Sequence, residues 1–307
     1  MSKSIKNFLD NPGLLFISLG HRGWFHWMDD ETYLKIAYRI KMGKKLNLDP
    51  PVTFNEKLQW LKLHDRNPEY TTMVDKYEAK KWVADKIGGG YVIPTLGVWD
   101  SFDDIDFDKL PNQFVLKCTH DSGGLVICRD KTKLDKSSVR AKIEKCLKHN
   151  FFWGQREWPY KNVKPRIIAE KYMEDTAAKV LGSNGLTDYK FFCFNGTPEF
   201  VYVSCGLENH TTAQMSFLDM NWEFAQFKRS DYRPLSTVPP KPERYEEMKT
   251  IAGRLSKDIP FVRVDLYEVQ GKVYFSEMTF FPCSGFLPFE PEEFDGILGK
   301  SIGIDGL

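Results

Sequence analysis

Two hydrophobic periods divide the chain. Up to about Asp75 the apolar positions recur at helical spacing, and from Tyr91 onward they alternate or gather in short blocks, as in strands. Asp29-Asp30-Glu31-Thr32 reads as a helix start, with Tyr33, Leu34, Ala37, Tyr38 and Lys41 following at helical spacing. Asp49-Pro50-Pro51 predicts a stop, and Thr53-Phe54-Asn55-Glu56 a restart with capping-box character. A third helix is predicted over 75–87. Gly88-Gly89-Gly90 then reads as its C-cap rather than a phosphate loop, because no G-x-G-x-x-G follows.

Beyond Tyr91, strands are predicted at 114–118 and 125–128 around a tight loop, and at 166–173. A charged helix is predicted over 131–150 and another helix over 243–256. Strands at 188–194 and 200–205 flank Asn195-Gly196, a strong hairpin signal. A second hairpin joins 261–267 to 272–278. Helices and strands in this order predict an α+β architecture rather than a doubly wound sheet.

Composition narrows the class. The 307 residues carry 43 Lys+Arg against 42 Asp+Glu, which argues against a nucleic-acid protein, since phosphate contacts need a basic surface. No apolar run is long enough to span a bilayer. The patch from Leu14 to Leu19 is interrupted upstream by Asn11-Pro12-Gly13 and lacks a small-residue cleavage site, so no signal peptide and a cytoplasmic location are expected. The six Cys contain no C-x-x-C pair and the His no H-E-x-x-H, which argues against a zinc cage or a disulfide frame.

Three segments could serve one reaction. Lys117 ends an apolar strand and precedes Thr119-His120-Asp121-Ser122-Gly123-Gly124, a fixed cation beside a flexible glycine loop, as a triphosphate needs. Ile167-Ile168-Ala169-Glu170 is an apolar strand ending in a carboxylate that could face an adenine or simply run out into solvent. In Phe261-Val262-Arg263-Val264-Asp265-Leu266-Tyr267, alternation puts Arg263 and Asp265 on one face. A two-residue turn at Gln270-Gly271 would set Asp265 opposite Ser276. A three-residue turn at Val269-Gln270-Gly271 would set it opposite Glu277, and Arg263 opposite Thr279. Two opposed carboxylates repel unless a cation lies between them, which points to Mg²⁺, with Arg263 paired to an acid as the plainer alternative.

Taken together and in order, these segments resemble the ATP-grasp superfamily, and the chain is most similar to its TupA-like branch, associated with bacterial surface-polysaccharide gene clusters. The resemblance runs from Pro51-Val52-Thr53-Phe54-Asn55-Glu56 through Asp75-Lys76-Tyr77, the segment ending in Lys117-Cys118-Thr119-His120, Glu157-Trp158-Pro159-Tyr160 and Asp188-Tyr189-Lys190. It ends at Phe275-Ser276-Glu277-Met278-Thr279 and Ser284-Gly285. It implies an ATP-grasp fold of two α+β subdomains clasping ATP: a helical region at 1–74, an N-terminal lid subdomain at 75–171, and a C-terminal subdomain with a metal-binding hairpin at 172–307.

The resemblance also implies roles. Lys76 and Lys117 would contact the phosphates, with His120, Ser122, Gly123 and Gly124 in the loop above them. Glu170, Lys171 and Tyr172 would form the adenine hinge, with Glu174 or Asp175 at the ribose and Lys190 as a further nucleotide contact. Asp265 and Glu277 would hold Mg²⁺, joined by Thr279 where the superfamily usually has Asn, and Arg263 would stabilise the transferring phosphoryl group. The implied reaction is ATP-dependent joining of a carboxylate to an amine, with a uronic acid of a surface glycan as acid and an amino acid as amine. Trp153, Trp158 and Tyr160 are candidate sugar-stacking rings.

Two rival readings rest on other features. Asp104-Ile105-Asp106 and Asp106-Phe107-Asp108 match the D-x-D pairs of glycosyltransferases, and a non-catalytic glycan-binding scaffold could keep the fold. Lys35, Arg39, Lys41, Lys44 and Lys45 could rest the helical region on the inner, anionic face of a membrane, or be a solvated helix face.

Overall fold

The computed structural model describes residues 12–174, 186–205 and 214–304. The first part is helical: α1 (Pro12–His21), α2 (Asp30–Met42), α3 (Phe54–His64), α4 (Glu69–Val74) and α5 (Glu78–Ile87). Next come β1 (Thr95–Trp99), β2 (Phe114–Cys118), β3 (Leu125–Cys128), α6 (Lys136–Leu147), α7 (Phe152–Gln155) and β4 (Ile167–Lys171). Then follow β5 (Asp188–Phe194), β6 (Thr197–Cys205), β7 (Gln214–Asp219), β8 (Lys228–Arg229), α8 (Tyr245–Leu255), β9 (Phe261–Val269), β10 (Lys272–Thr279), β11 (Phe289–Glu290) and α9 (Glu293–Ser301). Two antiparallel sheets organise the molecule, one in the order β1-β4-β2-β3 and one in the order β10-β9-β5-β6-β7. The architecture is α+β, with a helical N-terminal region.

Local chemistry sets most boundaries. Asp29 caps α2 by accepting the Thr32 N–H at 2.8 Å, and Thr53 and Glu56 form the capping box of α3. Helix α2 ends well before Asp49-Pro50-Pro51, because Gly43 turns left-handed at φ 69° and bonds back to the Arg39 carbonyl. Helix α5 starts at Glu78 rather than Asp75, whose carboxylate stays outside and accepts the N–H groups of Tyr77 and Glu78. The predicted helix over 131–150 is a 3₁₀ turn at Lys131–Lys133 followed by α6. Asp130 and Asp135 each hold backbone N–H groups a few residues on, which breaks the run in two.

Both faces of the five-stranded sheet are covered, but differently. Helix α8 buries Tyr245, Met248, Ile251, Ala252 and Leu255 in the same core as Phe191, Val262, Val264 and Leu266 of β5 and β9. On the other face, Phe54 of α3 packs its ring on Phe261 (4.9 Å), Phe194 (6.2 Å) and Phe192 (6.5 Å). Those rings fill one end of that face and leave the other end to charged side chains. The four-stranded sheet has a separate core, where Phe114, Leu116, Cys118, Ile167 and Ala169 meet Val139 and Ile143 of α6.

Asn55, fully buried at the start of α3, joins three segments. Its Nδ2 donates to the Leu287 carbonyl and to Asp295 of α9, both at 2.9 Å, and its Oδ1 accepts the Leu287 N–H at 2.7 Å. Asn55→Ala leaves both Leu287 groups without partners in a dry site. It is expected to lower the unfolding free energy by about 2–4 kcal/mol, read from urea denaturation.

Candidate active site

Each sheet turns one polar row toward a shared cleft. In β2, Phe114, Leu116 and Cys118 alternate onto the face under α6, so Lys117 points the other way. The register Lys117↔Ile168 puts Glu170 diagonally across from it, and the Lys117 ammonium meets the Glu170 carboxylate at 2.6 Å. Lys80 of α5 holds the second Glu170 oxygen. Glu170 is thus buried between two lysines, not left at a strand end running into solvent. Burial pushes its carboxyl up, but Lys117 and Lys80 more than offset this and hold it below the ordinary glutamate value.

In the five-stranded sheet, Glu277 of β10 lies opposite Asp265 of β9, which lies opposite Lys190 of β5. In the adjacent row Thr279 opposes Arg263. The turn is the two-residue kind, with Gln270 and Gly271 at φ 53° and 71°. Such a turn alone would set Asp265 against Ser276. A bulge between Phe275 and Glu277 takes up Ser276 and brings Glu277 into register instead.

Asp265 is wholly buried. Arg263 binds it bidentately at 2.7 and 2.6 Å, and Lys190 binds it at 3.0 Å while also meeting Asp188 at 2.8 Å. Arg263 reaches Glu277 at 3.3 Å. Two cations therefore face three carboxylates, leaving negative charge in excess at the cleft. Burial raises Asp265 above the ordinary aspartate value against the opposing pull of Arg263 and Lys190. Burial also acts to raise Glu277, but Lys76, Arg263 and Lys190 outweigh it and keep that carboxyl low. Burial and then Asp188 push the Tyr267 phenol well up, so it stays a donor.

The two rows enclose a cavity of about 190 Å³, lined by Lys76, Lys117, Cys118, Asp121, Ser122, Gly124 and Leu125 on one side and by Asp188, Lys190, Tyr267, Ser276 and Glu277 on the other. Lys76 is held there from both ends. Its N–H donates to the Thr119 carbonyl at 3.0 Å, its ammonium reaches the Asp121 carbonyl, and the neighbouring Asp75 is bonded by Arg166 at 2.8 Å.

The cleft thus brings together Lys76, Lys117, Ser122, Gly124, Lys190 and Glu277, with Asp265 and Arg263 directly behind. It does not bring His120. That ring is buried with Nε2 at 3.1 Å from the carbonyls of Cys146 and His149, so it braces the end of α6 and is not placed to act as a catalytic group. Lys171, the last residue of β4, and Tyr172 and Glu174 beyond it lie outside the cavity wall. Lys171 donates its N–H to Pro94, and the Tyr172 hydroxyl accepts from Arg129 at 3.2 Å. Gly123 is exposed in the loop, Thr279 is half-buried off the wall, and Asp175 lies outside the described residues.

Other expectations are also revised. His26 stacks on Trp153 at 3.8 Å, the Arg66 guanidinium lies over Trp158 at 5.0 Å and Tyr160 packs on Phe151 at 4.7 Å, so each of these rings is already engaged by a protein side chain. Asp106 accepts the Asp108 N–H and pairs with Lys109, a solvated turn rather than a sugar-nucleotide site. Lys35 and Lys44 are ion-paired and Lys41 sits over the Phe286 ring, so no free basic face forms from them.

Gln59, Lys62 and Glu157, residues without an assigned role, clamp the turn behind the hairpin. Cys283, Ser284 and Gly285 are all left-handed, at φ 50°, 56° and 68°. Gln59 and Lys62 of α3 donate to the Ser284 carbonyl at 3.2 and 2.8 Å, Gln59 donates to Gly285 at 2.6 Å, and Ser284 Oγ donates to Glu157. Asp188, which faces the cleft two residues before Lys190, was legible from alternation. The bulge at Ser276 was not.

A family model described as TupA-like ATPgrasp matches residues 56–303. No curated protein matches the chain. Similar solved structures include a D-alanine–D-alanine ligase from Bacillus anthracis, at 17% identity and TM-score 0.41, covering 76% of this chain and 62% of that one. The D-alanyl-alanine synthetase A of Vibrio cholerae is 13% identical with TM-score 0.45, covering 80% and 68%. The D-cycloserine synthetase DcsG is 13% identical with TM-score 0.41, covering 75% and 70%. The chain thus spans less than two thirds of the Bacillus ligase.

Because the Glu170 carboxyl is held low in the folded protein, its ion pairs stabilise the fold above the unfolded value and are lost as pH falls through the folded one. Glu170→Gln is expected to cost about 2–4 kcal/mol at pH 7. The gap to wild type should close as the pH drops below about 4. Urea denaturation of both proteins across that range checks this, and a gap independent of pH would exclude an ionic role.

Proposed function

The chain belongs to the TupA-like ATP-grasp family, and we propose that it is an ATP-dependent carboxylate–amine ligase acting through an acyl phosphate. The observation that carries this reading is the single cleft in which Lys117 and Lys76 face an ionised Glu277 backed by Asp265, Arg263 and Lys190. Phosphoryl transfer is mainly positioning and charge stabilisation, and these side chains supply both without a special nucleophile.

In this reading Lys76, Lys117 and the loop from Ser122 to Gly124 cradle the phosphates. A substrate carboxylate oxygen attacks the γ-phosphorus, and the bond to ADP breaks. The amine then attacks the acyl carbon, phosphate departs with the electron pair of the broken C–O bond, and the amine's proton passes to solvent. In this reading Arg263, once it gives up a bond to Asp265 or Glu277, stabilises charge on the transferring group, and Tyr267 donates a hydrogen bond. The acyl phosphate must be kept from water, a role that suits the loop at 119–124.

The donors also fit Mg²⁺, an oxygen-seeking ion. Glu277 offers an ionised carboxylate to the cleft, and Asp265 stands opposite it. Since the Asp265 oxygens are already bonded, the ion would need Arg263 or Lys190 to give up a bond there, while Thr279 shares the Glu277 face. When bound, Mg²⁺ neutralises phosphate charge. The proposed substrates are a uronic-acid carboxylate of a surface polysaccharide or its precursor and an amino acid. Lys171, Tyr172 and Glu174 remain proposed for the adenine and ribose end.

Among the described residues no helix is long and apolar enough to cross a membrane. We propose peripheral membrane contact through Trp24 and Trp27, 67% and 78% exposed, since indole rings favour the lipid–water boundary. Sedimentation with liposomes should fall when both Trp are replaced by Ala, and sedimentation equal to wild type removes the idea.

Calorimetry of ATP binding tests the site. Binding is expected to require Mg²⁺ and to weaken at least about tenfold in Glu277→Gln, the loss of one charged ligand contact. Binding should then justify a screen of acid–amine pairs for ADP release. No ATP binding by the wild type, or binding indifferent to Glu277→Gln, overturns the reading.

A further inference from the structure

The root of the loop at 119–124 holds a second group of metal-ligating side chains, which does not include Glu277. At the end of β2 the loop folds back, with the Cys118 N–H donating to the Gly124 carbonyl at 2.8 Å and the Gly124 N–H donating to Asp121 Oδ1 at 3.0 Å. Helix α6 brings Cys146 to the same point. The sulfurs of Cys118 and Cys146 and a carboxylate oxygen of Asp121 all lie within 4.8 Å of one another. Among the described residues no other three His, Cys, Asp or Glu come this close.

We propose that Cys118, Asp121 and Cys146 form a binding site for a soft divalent metal ion, with Zn²⁺ the best match to the donors. Two sulfurs and one carboxylate select Zn²⁺ over Mg²⁺, whose preference is for oxygen alone. With Zn–S bonds of about 2.3 Å, tetrahedral donors sit about 3.8 Å apart, so the three groups need close by only about 1 Å. Three protein ligands leave a fourth position, as in open zinc sites. Water would complete the shell, and Cys118 and Asp121 also stand beside the cavity that Lys76 and Lys117 line.

The surroundings are built closely around the sulfurs. A Cβ on Gly124 would lie 2.5 Å from Cys118 Sγ, so a side chain there would displace the ligand. The corresponding point on Gly123 is 3.9 Å from Cys146 Sγ and 3.8 Å from Asp121 Oδ2, ordinary contact distances. Asp121 is oriented by the Gly124 N–H, the outer-shell bond that tunes a ligating carboxylate. Two thiolates and a carboxylate around Zn²⁺ leave one negative charge, and Lys76 lies next to it with its ammonium on the Asp121 carbonyl. The ion would tie β2, the loop and α6 together, fastening the loop from below.

Cobalt(II) is the probe, added anaerobically to reduced Cys283→Ser protein so that the exposed Cys283 does not contribute. One Co²⁺ per chain is expected, with a thiolate-to-cobalt band in the near ultraviolet that Zn²⁺ abolishes and Mg²⁺ does not. Cys146→Ser should lose the band, and Asp121→Asn should weaken Zn²⁺ binding at least about tenfold. Metal-free thermal unfolding of each variant establishes that it is folded, and added Zn²⁺ should raise the melting temperature of the parent but not of Cys146→Ser. No band in the parent, or an unchanged band in folded Cys146→Ser, overturns the site. Glu277→Gln should keep the band, so this outcome is independent of the ligase reading.

Discussion

A carboxylate with no access to water has to be met by cations, and Asp265 is such a group. Removing its charge from water costs several kcal/mol, which only close, hydrogen-bonded cations return. Arg263 and Lys190 are both consumed in meeting it, each from a neighbouring strand position on the same face. This requirement explains much of the C-terminal architecture. Strands β5, β9 and β10 must keep their register for Lys190, Asp265 and Glu277 to form one row, and the bulge at Ser276 is what lets a tight two-residue turn deliver that register. The aromatic packing of Phe54 on Phe192, Phe194 and Phe261 holds the dry end of the same face.

The smaller sheet uses the same device with the signs reversed in number. There one buried carboxylate, Glu170, holds two lysines, Lys80 and Lys117. One side of the cleft therefore carries surplus positive charge and the other surplus negative charge. A ligand that is itself highly anionic and travels with a divalent cation is complementary to both, phosphates against the lysines and the cation against Glu277. Neither sheet alone presents that combination.

The N-terminal helices do more than cover the core. Helix α3 sends Gln59 and Lys62 to the left-handed turn that follows β10, and Glu157 holds the same turn from its Ser284 hydroxyl. Two successive non-glycine residues in that conformation persist only where the surroundings impose it. Burial pushes the Lys62 ammonium below the ordinary lysine value, with Glu157 opposing, and its hydrogen bonds to Gln59, Gln155 and Ser284 hold it in place behind the hairpin.

By itself the sequence determined the α+β class, the positions of most helices and strands, and the membership that Lys76, Lys117, Lys190, Arg263, Asp265 and Glu277 together signal. These are properties of spacing: caps such as Asp29 and Thr53, the Asn195-Gly196 turn and the alternation of β9 act over a few residues, where backbone and side-chain chemistry is local. It did not determine what each charged group faces, because that depends on partners far apart in the chain. Glu170 reads as a strand end but is buried between Lys80 and Lys117, and His120 reads as part of a catalytic loop but braces α6. The sugar-stacking rings are already engaged by protein side chains, and Cys118 and Cys146, without any recognisable spacing, meet across the loop. Tertiary structure decided these points because burial, and with it the need for a counter-charge or a hydrogen-bond partner, exists only once the sheets and helices have packed.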